Sequence, residues 1–256
     1  MATMARPTVQ DTRSSLRRAL DLLDAFSPDA TELTMRELAA RSGVSRSTTH
    51  RLVTELLEWG ALERGKRGVR LGIKLFELGA MAPTQGTMRE AASPFLHTLN
   101  EVTHLTANLA IREGAHIVYL EKIGSRTLRV PHSRLGGRGA LHATGLGKAI
   151  LAFSPPAEIA EYATAPLAAI TSKTITDETV LTRELAGIRR TGVALDVEES
   201  LLGLFCVAAP IRDARGTAIA AVSVTGATAR SQAERFSPTV IATARAIEHR
   251  LSSLEA

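Results

Sequence analysis

The residues with the clearest chemistry to offer lie between Arg46 and Thr54. Arg46, Ser47, Thr48, His50, Arg51 and Thr54 share the outer face of a helix predicted to begin after Ser45. Short hydroxyls and long cations, mostly in the first two turns, suit a helix pushed amino end first into a major groove. There the helix end and the guanidinium groups hold phosphates, while hydroxyls and arginines reach base edges. A second cationic group follows, with Lys66 and Arg67 on a glycine-bounded tip suited to phosphates. Each set also has a plainer reading: a helical hairpin with a solvated face, and an exposed turn kept soluble by its charges.

The supporting elements stand on either side. Thr34 followed by Glu37 is a capping box, in which hydroxyl and carboxylate each take an orphan amide at a helix start. Met35, Leu38 and Ala39 then fall on one helical face. Gly43 supplies the left-handed conformation that ends this helix, and Val44 plugs the space beneath the turn. Ser45 caps the second helix, whose buried stripe is Leu52, Val53 and Leu56. Upstream, Leu16, Ala19, Leu20, Leu23 and Phe26 recur at helical spacing until Ser27–Pro28 stops them. Downstream, Ala61–Arg64 and Val69–Leu71 read as a small hairpin. From Gly60 to Lys74 there are five cations against one acid, Glu63. A basic hairpin directly after a helix-turn-helix is the wing of a winged helix, and that position favours DNA over the plainer readings. Lys74–Met81 reads as a linker helix.

Composition sets the outer bounds. The chain has 256 residues, 45% hydrophobic and 22% charged, which suits two modest domains with real cores. A net charge of +5 and a pI near 9.9 fit a nucleic-acid partner. The single cysteine, Cys206, excludes an internal disulfide framework and agrees with a reducing cytoplasm. No apolar run is long enough to span a membrane. The first fifteen residues read as a loose arm rather than a signal peptide.

The domain boundary is placed near Ala82–Thr87, giving domains over 1–82 and 83–256. Ser93–Pro94 then opens a helix carrying Phe95, Leu96, Leu99 and Val102. Leu105–Arg112, His116–Lys122 and Leu128–Val130 read as strands. The glycine-rich Gly136–Phe153 turns helical, Ser154–Pro155 begins another helix, and Thr176–Arg190 forms a third, ended by Gly192. Strands at Val193–Asp196, Leu204–Ile211 and Ala218–Thr225 precede a last helix capped by Ser237–Pro238. Mixed strands with helices on one side predict an α+β sensor domain rather than a doubly wound parallel sheet.

Several stretches together resemble the IclR family of bacterial transcription regulators over nearly the whole chain. They are LTMRELAARSGVSRSTTHRLVTELLEWGAL, the basic wing with LGIKLFELG, then LHATGLGKAILA, TGVALDVEESLLGLFCVAAPIRD and GTAIAAVSVTG. The resemblance implies a winged helix-turn-helix joined by a linker helix to a GAF-like α/β effector domain, assembled as a homodimer or a dimer of dimers. It also implies an effector pocket at the turn opening the LGKA helix, here Thr144, Gly145 and Leu146. Asp196, Leu204, Cys206, Ser223 and Thr225 would complete it. A free helix amino end there suits a carboxylate, and Ser223 and Thr225 face the same way along their strand. Individually, Asp196 could cap a turn, Cys206 could be a small buried hydrophobe and Ser223 could satisfy a backbone group. Gly145 and Gly147 could merely permit a tight turn, and His142 suits a core histidine as well as a ligand donor. Some relatives bind a metal in this domain; no His, Cys and carboxylate cluster supports one here, and no cofactor is expected.

The expectation is a cytoplasmic one-component regulator, a repressor of a metabolic operon that binds a pseudo-palindromic operator and senses a small organic acid. With Leu128 and Val130 near the pocket, and Arg129 and His132 alternating away, the acid could be aliphatic or aromatic. One rival is a small-molecule-converting enzyme with an accessory DNA-binding domain. It finds no G-x-S-x-G elbow, and Cys206 sits in an apolar strand, a poor setting for a thiolate. A second rival, an architectural DNA binder without a ligand, leaves the large second domain unexplained.

Overall fold

The computed structural model describes residues 13–124, 130, 132–227 and 234–255. The chain divides into two compact units, Met1–Ala82 and Pro83–Ala256.

In the first unit, α1 (Ser15–Asp24), α2 (Met35–Ser42) and α3 (Arg46–Trp59) enclose a core of Leu22, Leu38, Val44, Leu52 and Val53. The capping box forms: the Glu37 amide donates to the Thr34 hydroxyl, and the Glu37 carboxylate accepts from the Thr34 amide at 2.8 Å. Gly43 adopts the left-handed conformation (φ 66°), and Ser45 caps α3. Leu56 is only half-buried, whereas Thr49 is fully buried and donates to the Val44 carbonyl. The wing consists of β2 (Leu62–Arg64) and β3 (Val69–Leu71), but β3 also pairs with β1 (Glu32–Leu33), giving the order β1-β3-β2. A two-residue strand carries too little alternation to be read in advance. The loose arm is corrected at its end: Arg13 bonds Asp21 at 2.6 Å and donates to the Ser42 and Gly43 carbonyls, covering the end of α2. α4 (Ile73–Ala80) closes the unit.

The second unit opens on α5 (Pro83–Thr103), which runs unbroken through Pro94. A helix starting only at Ser93 was therefore the wrong boundary. The proline removes one ladder bond, but Met88, Ala92, Leu96 and Leu99 are all buried against the sheet, and that packing carries the helix past it. The sheet contains β4 (Thr106–Glu113), β5 (His116–Ile123), β6 (Arg138–Ala140), β7 (Ala194–Val197), β8 (Phe205–Arg212) and β9 (Ala218–Gly226). Their order is β6-β5-β4-β9-β8-β7, and every pairing is antiparallel. Of the expected strand at Leu128–Val130, Leu128 and Arg129 lie outside the described residues, and Val130 is not in a strand.

Helices cover both faces, not one. α5 and α9 (Ser237–Glu255) pack on Phe205, Val207, Ala209, Val222 and Val224. On the other face, α6 (Gly145–Ala152), α7 (Pro156–Thr164) and α8 (Glu178–Thr191) pack with Cys206, Ala208 and Ala221. Period-two alternation sends neighbouring residues to opposite cores, so β8 and β9 read as continuous apolar runs.

Lys148 of α6 is drawn into the second core, where it is 1% exposed. Its Nζ donates to Glu199 at 2.5 Å and to Glu184 at 3.0 Å. Removing one partner of such a pair strands a buried charge at a cost of about 3–5 kcal/mol. Lys148→Met should lower stability by that order in urea denaturation, and adding Glu199→Gln should recover much of the loss. A double variant no more stable than the single would show that the ion pair is not the cause.

Candidate functional site

The first candidate surface lies on α3 and the wing. Arg46, Ser47, His50 and Thr54 are exposed, while Thr48 is half-buried and shares the cap, its hydroxyl accepting from Ser45 at 2.9 Å. Arg46 has no hydrogen-bond partner among the described residues. Arg51 pairs with Glu55 at 2.7 Å, an exposed i,i+4 contact worth little and readily exchanged for a phosphate. Lys66 and Arg67 are exposed at the wing tip, which closes through a Gly65 amide to Gly68 carbonyl bond of 2.9 Å. Glu32 braces the tip by accepting from the Arg67 and Gly68 amides. The Arg67 amide, foremost, holds the Glu32 carboxyl below the usual range. The arrangement presents cations and hydroxyls on a helix end and a turn, with the turn braced by the Glu32 carboxylate.

The second candidate is a small cavity beneath the amino end of α6, enclosing about 10 Å³. Cross-strand register builds its floor: Asp196 of β7 stands opposite Cys206 of β8, and Cys206 opposite Thr225 of β9. These three side chains form one row on one sheet face. Thr144, Gly145 and Leu146 wall it from above, and Leu204 from the side. The Thr144 hydroxyl accepts from the Gly147 amide at 3.1 Å, which leaves the first amides of the helix, including those of Gly145 and Leu146, without intrahelical partners. Neither Gly145 nor Gly147 needs a positive φ; both are there for close approach. A Cβ on Gly147 would stand 2.4 Å from the Leu141 carbonyl oxygen, and one on Gly145 would stand 3.0 Å from Cys206 Sγ.

Asp196 also caps a turn. It accepts from the Glu199 and Ser200 amides at 2.8 and 3.2 Å and from the Ser200 hydroxyl at 2.5 Å. Burial raises its pKa despite those donors. Burial likewise pushes the Cys206 thiol up to about 11, so the group is a neutral thiol rather than a nucleophile.

Ser223 does not reach the wall. It is fully buried in the next row, opposite Ala208 and Asn108, and accepts from Asn108 Nδ2 at 3.4 Å. His142 is a core histidine, its ring nitrogens bonded to the Tyr162 hydroxyl at 2.8 Å and the Ala168 carbonyl at 3.0 Å. His132, expected to point away, lines the cavity with its ring centroid 6.2 Å from that of Tyr119. Val130 and His132 are two residues apart, so alternation puts them on the same side, and both line the cavity; the expectation assigns His132 the wrong parity. Tyr119, Ser133, Ser200 and Asn108 were also missed. Tyr119 had a signal, since it alternates with the buried Ile117 on β5; the others depend on long-range contacts. Among the described residues, no group of three His, Cys, Asp or Glu could hold a metal, and no helix is long and apolar enough to cross a membrane.

Comparison with known proteins gives these two surfaces a context. The model of the IclR helix-turn-helix domain matches residues 15–66, and that of the bacterial transcriptional regulator IclR C-terminal domain matches residues 82–249. The HTH-type transcriptional regulator BhcR of Paracoccus denitrificans is 36% identical, covering 87% of this chain and 81% of its own. The regulator XynR of Escherichia coli is 35% identical, covering 84% and 87%. The crystal structure of an IclR homolog from Microbacterium hydrocarbonoxydans, complexed with 4-hydroxybenzoate, superposes with a TM-score of 0.85 at 30% identity, covering 94% of this chain and all of that one. The Thermotoga maritima IclR structure gives 0.77 at 32% identity, covering 93% and 98%. The chain belongs to the IclR family of bacterial transcriptional regulators, DNA-binding proteins that respond to a ligand.

Proposed function

We propose that the chain represses a metabolic operon and releases its operator when a small carboxylic acid binds under α6. Two winged helices, one from each protomer of a dimer, would read neighbouring half-sites of a pseudo-palindrome. Arg46, Ser47 and Arg51 would make base and phosphate contacts, with Thr48 holding the helix start, His50 flanking the face, and Lys66 and Arg67 gripping phosphate. The observation that carries the ligand reading is the row Asp196–Cys206–Thr225 lying under an open helix end. Fixed amides and a helix dipole above, with a neutral thiol and a hydroxyl below, suit an anionic head group. Tyr119, His132, Leu146 and Leu204 offer a flat and apolar surround for its body. The ligand of the Microbacterium relative, 4-hydroxybenzoate, has this character.

A cavity of about 10 Å³ holds about one water, so a larger ligand binds a state in which part of the wall has moved. Leu204 ends the loop that Asp196 caps and that the Lys148–Glu199 pair ties to α6. Its displacement would disturb the pair and, through Glu184, α8. By linkage, a ligand that weakens DNA binding binds less well to the DNA complex.

Gel shifts against the protein's own promoter and adjacent intergenic DNA, over a salt series, test the interface. Arg46→Ala should cost about 1–3 kcal/mol at one operator with relaxed base preference, whereas Lys66→Ala should weaken all sequences alike and lower the salt slope by about one. Weak, uniform binding to every fragment would rule out operator recognition by α3. For the pocket, thermal stabilisation by benzoates and short aliphatic acids should reveal a saturable ligand. Thr225→Val should weaken that ligand by about 1 kcal/mol, the worth of one hydrogen bond, while leaving DNA affinity without ligand unchanged. Unaltered ligand affinity in Thr225→Val would place the ligand elsewhere.

A further inference from the structure

We propose that a second cavity in the same unit, lined by arginines from three elements, binds a small multivalent oxyanion such as a phosphate ester or a polycarboxylate. This cavity encloses about 190 Å³ and shares no residue with the pocket under α6. Arg189 and Arg190 come from the last turn of α8, Arg212 from the end of β8 and Arg245 from the middle of α9. Against these four guanidinium groups stands one carboxylate, Glu248.

The arginines are positioned from behind. Arg212 donates through its backbone amide and its Nε to Glu248, at 2.8 and 3.0 Å, and its guanidinium lies 5.5 Å over the Phe153 ring. Arg189 donates through Nε to the Ala152 carbonyl at the end of α6. Both contacts use the inner nitrogen, and the forked outer nitrogens are the ones that suit bidentate oxyanion binding. Arg190 makes only a 3.4 Å contact to the Ala186 carbonyl, and Arg245 has no hydrogen bond or ion pair among the described residues.

Cations at a helix end ordinarily offset the helix dipole. That accounts for Arg189 and Arg190, and Glu248 pairs with Arg212, but neither accounts for Arg245 in the body of a different helix. The convergence of the arginines on one concavity concentrates like charge that an anion would relieve. The size limits the guest, since pockets for drug-sized ligands run from about 300 Å³ upward. Several guanidinium groups from separate elements favour a guest with more than one anionic group over a monocarboxylate. Gly145 lines the first pocket and Phe153, just past the end of α6, lines this one, so the two sites sit at opposite ends of α6, about 12 Å apart by helix rise.

Isothermal titration of the full chain with inorganic pyrophosphate and with citrate, at ionic strength fixed by sodium chloride, tests this site. The expected result is saturable binding at one site per chain. It should weaken about tenfold or more in Arg190→Gln/Arg245→Gln and detectably in Arg245→Gln alone, as charge-assisted bonds are lost. Both side chains are exposed, so the melting temperature without anion should hold. Lys66→Gln/Arg67→Gln on the wing should bind the anion as the parent does. Preference for pyrophosphate or for citrate assigns the guest to phosphate or carboxylate chemistry. Equal affinity in the arginine double variant, a loss found in the wing variant instead, or no saturable heat with either anion would overturn the proposal.

Discussion

Helix α6 rests on the sheet with almost no clearance, and much of the second unit follows from that contact. A side chain at Gly147 would strike the backbone of Leu141, and one at Gly145 would crowd Cys206. Hydrogen at Gly147 lets the turn before the helix fold back against it, and hydrogen at Gly145 lets the open end be set down on the polar row of β7, β8 and β9. The same seating carries Lys148, one turn on, beneath the surface, where an ammonium group is tolerable only with a carboxylate against it. Glu199 supplies that carboxylate from the loop after β7. The position of that loop, and with it Ser200 and Leu204 in the cavity wall, is thus tied to how closely α6 approaches the sheet.

Covering the sheet on both faces obliges every polar side chain within it to find a partner. Asn108 meets much of that demand beside the cavity. Its amide donates to Ser223 and Thr225, and its carbonyl accepts from Ser133 at 3.0 Å. The hydroxyls near the pocket floor are therefore oriented before any ligand arrives. Burial pushes the Cys206 and Tyr119 pKa values up and that of Asp196 up as well. The Cys206 thiol and Tyr119 hydroxyl are thereby neutral hydrogen-bonding groups, the Asp196 carboxylate is engaged by its own turn, and the positive end of the helix faces them.

The two surfaces were unequally legible in the sequence, for a physical reason. The signals that bound α3 are mostly local: the capping box at Thr34 and Glu37, the left-handed Gly43, the Ser45 cap and the basic tip after it. Such signals survive in a linear reading because their energies depend on neighbours a few residues away. The pocket is assembled across long sequence separations, and the reading reached its row only through family resemblance. Resemblance also named Ser223, which stands one row along, opposite Ala208 and Asn108. Lys148 looks like a solvent-facing residue of a short helix, since the carboxylate that makes its burial tolerable lies 51 residues on. Pro94 misled in the opposite sense: the local rule starts a helix there, but the helix already runs from Pro83, and a row of buried side chains on both sides of the proline holds it together.

The loop that bears Leu204 is held differently from the sheet it covers. Apolar contacts hold the strands on both faces, and they have no alternative partner of comparable worth. Polar contacts hold the loop: the Asp196 carboxylate on two amides and a hydroxyl, Thr171 and Thr174 on the Glu198 and Glu199 carbonyls, and the ion pair with Lys148. Their satisfaction is incomplete, because Glu199 Oε2 is buried with no partner among the described residues. An unpaired buried oxygen of this kind costs about 1–3 kcal/mol, and burial holds the Glu199 pKa above its usual value even beside Lys148. On the proposed reading, a ligand pressing on Leu204 would work against polar contacts of the loop, while the apolar packing of the strands beneath would stay in place.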